Sequence, residues 1–260
     1  MKKWKKVVCF ALALTLMLPL FACGGGNKVT LNVLNWGDYI DPALLRQFED
    51  ETGIAVKYTT MTSNEEMLVK LASADNIYDV CFPSDYLIEK LVADDLLYPI
   101  NKANIPNLSN IDPRFMNLSF DPGNTYSVPY MWGTVGILYN KTMVSDPVDS
   151  WNILWDEKYA GQILMYDSMR DTIGITLKKL GLDINTRSEA DILAAQEALI
   201  AQKPLVRAYL TDDIKMELIN GSAALGVVYS GDAVYCISEN PDLAYAVPKE
   251  GSNVWFDNII

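Results

Sequence analysis

The chain has 260 residues, 21 Lys and Arg against 33 Asp and Glu, a net charge of −12 and no histidine. So acidic a surface argues against nucleic acid and anionic lipid headgroups as partners, since both call for a basic face. Without histidine, and with only four cysteines, the ordinary zinc, copper and haem ligand sets are missing. The Ser-His-Asp and Cys-His modes of nucleophilic catalysis are missing with them.

In chain order, the first segment reads as an export signal. Lys2, Lys3, Lys5 and Lys6 form a basic start, and Val7 to Leu20 is an apolar run short for a bilayer span. Leu20-Phe21-Ala22-Cys23, followed by Gly24-Gly25-Gly26, resembles a bacterial lipobox. Residues 1–22 are therefore expected to be cleaved, Cys23 to be lipidated and residues 23–29 to act as a flexible tether. Such a protein works outside the cytoplasm, anchored to the cell membrane. Cleavage removes four lysines and no acid, so the mature chain is more acidic still. Cys81 and Cys236 lie in apolar runs and read as buried free thiols.

Strand and helix signals then alternate. Val29–Leu34 predicts a strand. Asp41-Pro42 predicts an N-cap and first helical residue, with Leu44, Leu45 and Phe48 on one face and Gly53 as the stop. Ile54–Thr60 alternates as a strand, and Ser63-Asn64-Glu65-Glu66 fits a capping box. Tyr78–Phe82 reads as a short buried strand, after which Pro83-Ser84-Asp85 opens another helix. Asn101 to Pro129 is rich in Asn, Pro and Asp with little periodicity and is expected to wrap the surface. From Tyr130–Asn140 a strand starts a second series: strand Ile163–Tyr166, helix Thr172–Leu180, helix Glu189–Gln202, and strands Leu205–Leu210, Ala224–Tyr229 and Leu243–Val247. The prediction is an α/β chain of two lobes, each a mostly parallel sheet flanked by helices: lobe 1 over 30–132, lobe 2 over 133–254, and residues 255–260 returning toward lobe 1. The chain stops in what reads as the middle of an element, as a truncated sequence would.

In open parallel sheets ligands sit beyond the carboxyl ends of strands. Those ends carry a repeated pairing of a carboxylate with Trp or Tyr: Trp36-Gly37-Asp38-Tyr39, Ser84-Asp85-Tyr86, Asp167 to Asp171, Thr211-Asp212-Asp213, Tyr229 to Asp232, and Trp255 with Asp257. A buried carboxylate is costly unless it meets a cation. Indole and phenol faces attract an ammonium and cover methylenes. Acid ends and aromatic walls suit a flexible chain of methylenes carrying amines, with Trp36 and Tyr39 as wall and Asp38 as one acidic contact. As single residues, Asp41, Asp85, Asp213 and Asp232 read rather as helix caps, and Trp132, Trp151 and Trp155 as packing. Ser84 reads evenly as cap or contact, and Arg170 as half of a surface pair with Asp171.

The segments "LNVLNWGDYIDPALLRQFEDETGIAV", "YDVCFPSDYLIEKL", "YSVPYMWGTVGILYN", "SWNILWDEKYAGQILMYDSMRDTIGITLKKLG" and "VPKEGSNVWFDNII" resemble, in order and spacing from about Thr30 to Ile260, the spermidine/putrescine-binding proteins of polyamine ABC transporters. The resemblance implies a two-lobed periplasmic-binding-protein-like fold with a polyamine held between the lobes. It implies first-lobe contacts from Trp36, Asp38, Tyr39, Ser84 and Tyr86, and second-lobe contacts from Ser168, Asp171, Thr211 and Tyr229. Trp255 and Asp257 would lie where the chain returns, with Asp257 the chief carboxylate for an amine. Gly37 stands where a hydroxyl residue can occur, Ser168 where some members place an acid, and Tyr229 in place of a Trp. The implied partners are a permease and its ATPase, the membrane through the lipid anchor, and no nucleic acid. The implied state is a monomer that needs no cofactor, no metal and no covalent chemistry, so not an enzyme. Two other readings of the same residues are a different solute, such as a sugar, a ferric complex or a carboxylate, and a hydrolase using Asp167 and Asp171.

Overall fold

The structure, a computed structural model, describes residues 29–73 and 77–260. The expected signal segment, Cys23 and the tether up to residue 28 lie outside the described residues. The chain divides into two compact units, the smaller described over residues 29–32 and 40–57, the larger over 33–39, 58–73 and 77–260.

In the smaller unit, helix α1 (Pro42–Thr52) has the ends its sequence dictates. The Asp41 carboxylate accepts from the Ala43 amide at 2.8 Å, Pro42 supplies the first helical φ, and Gly53 closes the helix at φ 72°. The Val56 amide, just beyond, donates to Glu49 Oε1 at 2.6 Å.

Strands β1 (Thr30–Trp36), β2 (Ala55–Met61) and β3 (Val80–Cys81) form a three-stranded sheet in the order β2-β1-β3, with β1 and β3 parallel. In the larger unit, helices α2 (Asn64–Leu71) and α3 (Asp85–Ala93) bury Met67, Leu87 and Leu91 with Leu34, Met61 and Cys81. The Ser63 cap forms, the Glu66 amide donating to Ser63 Oγ at 3.1 Å, while the Glu66 carboxylate reaches one residue past the box position to accept from the Thr62 amide at 3.0 Å. The aperiodic stretch after α3 holds three short 3-10 helices and is pinned from inside. There, buried Asp121 accepts from the Thr125, Tyr126 and Ser127 amides and from Ser127 Oγ.

The second sheet is mixed. Strands β4 (Val128–Asn140), β5 (Ile163–Tyr166), β6 (Val206–Leu210), β7 (Leu225–Tyr229) and β8 (Leu243–Ala246) lie in the order β6-β5-β7-β4-β8, and β9 (Val254–Ile259) also pairs with β4. The β6-β5-β7 part is parallel, as a βα series requires, whereas β4 runs antiparallel to β7, β8 and β9. Alternation along the strands fills both faces. Ile137, Ile163, Met165 and Val227 enter one core with Trp151 and Ile175, while Leu138, Leu164 and Val228 enter the other with Ile214, Leu218 and Cys236. The covering helices are α4 (Met169–Lys179), α5 (Glu189–Gln202), α6 (Ile214–Ile219) and α7 (Ser230–Glu239). Cys81 and Cys236 are buried free thiols, their pKa values pushed by burial to about 12 and about 11. Past β9 the chain hydrogen-bonds β3, with the Ile260 amide donating to the Cys81 carbonyl at 2.9 Å and the Cys81 amide to the Ile260 carbonyl at 3.1 Å.

Candidate functional site

All of the following residues belong to the larger unit. The end of β1, the turn from β3 into α3, and β9 converge on Asp257. Trp36 is fixed because its indole N–H donates to the Phe82 carbonyl at 2.8 Å. Tyr39 donates its hydroxyl to Asp257 Oδ2 at 2.5 Å, and the Tyr130 hydroxyl donates to the Tyr39 carbonyl at 2.5 Å. The Tyr39 and Tyr130 rings meet edge to face with centroids 5.4 Å apart. Main-chain bonding pairs Ser84 with Asp257, and the Asn258 amide donates to the Pro83 carbonyl at 3.0 Å.

Asp257 is 6% exposed, and its Oδ1 has no hydrogen-bond partner. Burial raises its pKa; the Tyr39 and Ser84 side chains pull the other way, and the charges of Asp85 and Asp171 raise it again, so the carboxyl stands at about 6. A buried carboxylate with one oxygen unsatisfied is a strong demand for a cation.

Asp171 supplies the second acid from the first turn of α4, whose N-cap is Ser168. Ser168 Oγ accepts from the Asp171 amide at 3.2 Å, so it acts on the site by capping. Asp171 Oδ2 accepts from the Tyr229 hydroxyl and Oδ1 from Asn253 Nδ2, both at 2.7 Å. Burial first, and then the Asp171 charge, push the Tyr229 phenol well above its ordinary pKa, so it stays a donor. Its ring lies 4.6 Å from Tyr166 and 5.5 Å, edge on, from Trp255, whose indole N–H is buried without a partner. Gly133 makes room for that indole: a Cβ there would come within 2.6 Å of Trp255 Cζ2. Removing the cap in Ser168→Ala is expected to cost ~1 kcal/mol of stability, read by chemical denaturation.

Several local readings change on folding. Ser84 sits at the N-cap position of α3 without a side-chain cap, because Asn64 Nδ2 donates to its Oγ at 2.9 Å. Asp85 is not the cap either; its carboxylate accepts from the Tyr86 amide at 2.6 Å and the Phe256 amide at 3.3 Å, tying α3 to β9. The guanidinium of Arg170, rather than pairing with Asp171 on the surface, lies over the Tyr86 ring at 4.8 Å. Asp213 holds the N-cap position of α6 without a side-chain bond, and Asp232 is the third residue of α7, facing Lys215 at 3.8 Å. Trp132, expected to pack, is 54% exposed beside Phe115. Thr211 follows β6, and its carbonyl accepts from the Ile214 amide at 3.2 Å. Asp38 is reached by the Lys215 ammonium at 2.9 Å.

The arrangement thus joins Tyr39, Ser84, Asp171, Tyr229, Trp255 and Asp257 about two acids walled by rings, with Trp36 held against Phe82. Sequence reading missed Asn253, Gly133 and Lys215. Among the described residues no group of His, Cys, Asp and Glu is placed to hold a metal ion, and no helix is long and apolar enough to cross a membrane.

Residues 43–260 match the sequence profile of the family described as bacterial extracellular solute-binding protein. The spermidine/putrescine-binding periplasmic protein of Salmonella typhimurium is 37% identical over 262 residues, covering all of this chain and 74% of its own length. The putrescine/agmatine-binding protein of Pseudomonas aeruginosa is 30% identical over 278 residues, covering 98% of this chain and 76% of its own. A solved spermidine/putrescine ABC transporter substrate-binding protein of Streptococcus pneumoniae is 42% identical, with a TM-score of 0.71 over 90% of this chain and 72% of that one. A Listeria monocytogenes structure named for a spermidine/putrescine ABC transporter is 45% identical, with a TM-score of 0.87 over the same 90% and 72%.

Proposed function

Because the chain belongs to the bacterial extracellular solute-binding protein family, we propose that it is the extracytoplasmic receptor of a polyamine ABC transporter. It binds putrescine or spermidine and delivers the ligand to a permease and its ATPase. Cys23 carries the lipid anchor, the protein acts as a monomer, and it performs no covalent chemistry. The reading rests on one observation above all: Asp257 is buried among Tyr39, Trp255, Tyr229 and Asp171 with one oxygen unpaired. Ligand ammoniums placed there compensate the Asp257 and Asp171 charges, and the Tyr229 and Trp255 faces cover the adjoining methylenes. A sugar or a carboxylate ligand would leave the Asp257 charge uncompensated. Because contacts come from the ends of both sheets, ligand binding favours whichever arrangement brings them together.

Titration calorimetry with putrescine and spermidine tests the proposal, and heat of binding with a thermal shift is the expected result. Absence of both with either amine overturns it. Gly133→Ala is expected to weaken binding roughly tenfold by displacing the Trp255 wall, since one ammonium–ring contact is worth about 0.5–2 kcal/mol. Unchanged affinity in that variant would remove Trp255 from the site.

A further inference from the structure

Lys215, in the first turn of α6, is a cation kept inside the structure. Its side chain is 11% exposed, and its ammonium lies 2.9 Å from Asp38 Oδ2, 3.6 Å from Asp212 Oδ1 and 3.8 Å from Asp232 Oδ1. The three acids come from different elements: the end of β1, the end of β6 and the first turn of α7. They adjoin the aromatic site. The charges of Asp212, Asp232, Asp171 and Asp38 all act on the Tyr166 phenol, whose ring is 4.6 Å from that of Tyr229. Asp232 acts on Tyr39 as well. Gly37 leaves space for Asp212, whose Oδ2 would lie 2.8 Å from a Cβ at that position. The site therefore has two acidic ends, Asp171 with Asp257 and Asp38 with Asp212 and Asp232, and only the second contains an amine of the protein's own.

We propose that Lys215 sets ligand length: its ammonium occupies the Asp38 end as a built-in amine, so that the site favours a diamine over a triamine. The proposal rests on the polyamine reading above. The nearest carboxylate is committed to Lys215 by a charge-assisted hydrogen bond. A third ligand ammonium arriving at that end meets a like charge, while a diamine anchored at Asp171 and Asp257 does not have to approach it. Burial opposes the lysine charge, but the hydrogen bond to Asp38 and the charges of Asp232 and Asp212 outweigh it and hold the side chain protonated.

The experiment is calorimetric titration of the natural chain and of Lys215→Met with putrescine and with spermidine. The spermidine-to-putrescine affinity ratio is expected to rise roughly tenfold or more in Lys215→Met, as removal of one near like charge implies. It is expected to return toward the natural value in Lys215→Met/Asp38→Asn, where the freed carboxylate is removed. If Lys215→Met fails to fold for want of its cation, Lys215→Gln carries the same test, because its amide keeps a hydrogen bond to Asp38 without the charge. A ratio unchanged in the folded Lys215 variant, with both amines still bound, overturns the proposal and leaves the polyamine reading intact. Failure of the natural chain to bind either amine overturns the polyamine reading and with it this proposal.

Discussion

Asp257→Asn is expected to abolish tight amine binding and at the same time to raise the melting temperature of the free protein. Both effects follow from one buried charge. In the free protein the Asp257 pKa stands at about 6 against an ordinary 3.8, chiefly because burial disfavours the carboxylate. A raised acid pKa means that the folded state holds the proton more tightly than the unfolded chain. Below the ordinary value both states are protonated and the group is neutral to stability. As pH rises toward 6 a cost accumulates, and above 6 it is fully present, about 3 kcal/mol for a shift of this size. Asparagine keeps the shape and an acceptor for the Tyr39 hydroxyl but carries no charge, so it removes that cost. It also removes the partner of the ligand ammonium, and truncating one side of a buried charge pair costs about 2–5 kcal/mol, on the order of 100-fold or more in affinity.

The same reasoning fixes the pH dependence of the natural protein. A proton and an ammonium compete for Asp257, so amine affinity is expected to be flat above pH 6 and to fall below it, approaching tenfold per pH unit. Calorimetry near pH 6 in two buffers of different ionisation enthalpy should show a proton released on binding. Denaturation of Asp257→Asn at pH 7 should show the added stability, and the difference from the natural chain should shrink as pH falls and vanish below about pH 3. A melting temperature lowered by the substitution, with amine affinity unchanged, would remove Asp257 from the role of cation acceptor.

The parts of the molecule that were legible in the sequence are those decided by neighbours in the chain. Asp41, Pro42 and Gly53 delimit α1, and Ser63 caps α2, because each such bond spans only a few residues. Helix α5 occupies the predicted span Glu189–Gln202, and the structure adds Ser188 as its N-cap. Trp36, Tyr39 and Tyr229 were legible as candidates because they sit at strand ends, where ligands of parallel sheets collect, whereas Trp255 and Asp257 lie within β9, antiparallel to β4. What escaped is set by register between distant strands. Gly133 is opposite Trp255 in the β4–β9 pairing, and no local signal marks it as the floor beneath an indole. Asn253 reads as loop, yet its amide fixes one oxygen of Asp171. No local signal marks Lys215, which folding surrounds with acids from three elements. The antiparallel course of β4 is equally non-local, since its partners lie about a hundred residues further along.

Trp151→Ala is expected to produce the largest loss of stability among single substitutions, although Trp151 touches no proposed ligand. The indole is fully buried in the core of the second sheet with Leu154, Ile163 and Val227. Its N–H donates to the Gly251 carbonyl at 2.8 Å. Around it, residues 149–151 clasp residues 249–251: the Lys249 amide donates to the Asp149 carbonyl at 2.9 Å, and Ser150 Oγ donates to the Glu250 carboxylate. Two residues beyond that clasp comes Asn253, which holds Asp171, and then β9 with Trp255 and Asp257. Truncation removes the packing of the largest core side chain and strands a carbonyl acceptor, a loss of about 3–5 kcal/mol. At roughly 2–4 °C per kcal/mol for a chain of this size, the melting temperature should fall by about 10 °C. Trp151→Phe keeps most of the volume and loses the donor, so its cost should be nearer 1–2 kcal/mol. Thermal unfolding of the two variants separates volume from hydrogen bond. If Trp151→Phe were as damaging as Trp151→Ala, the clasp through Gly251 rather than core packing would be what holds this segment in place.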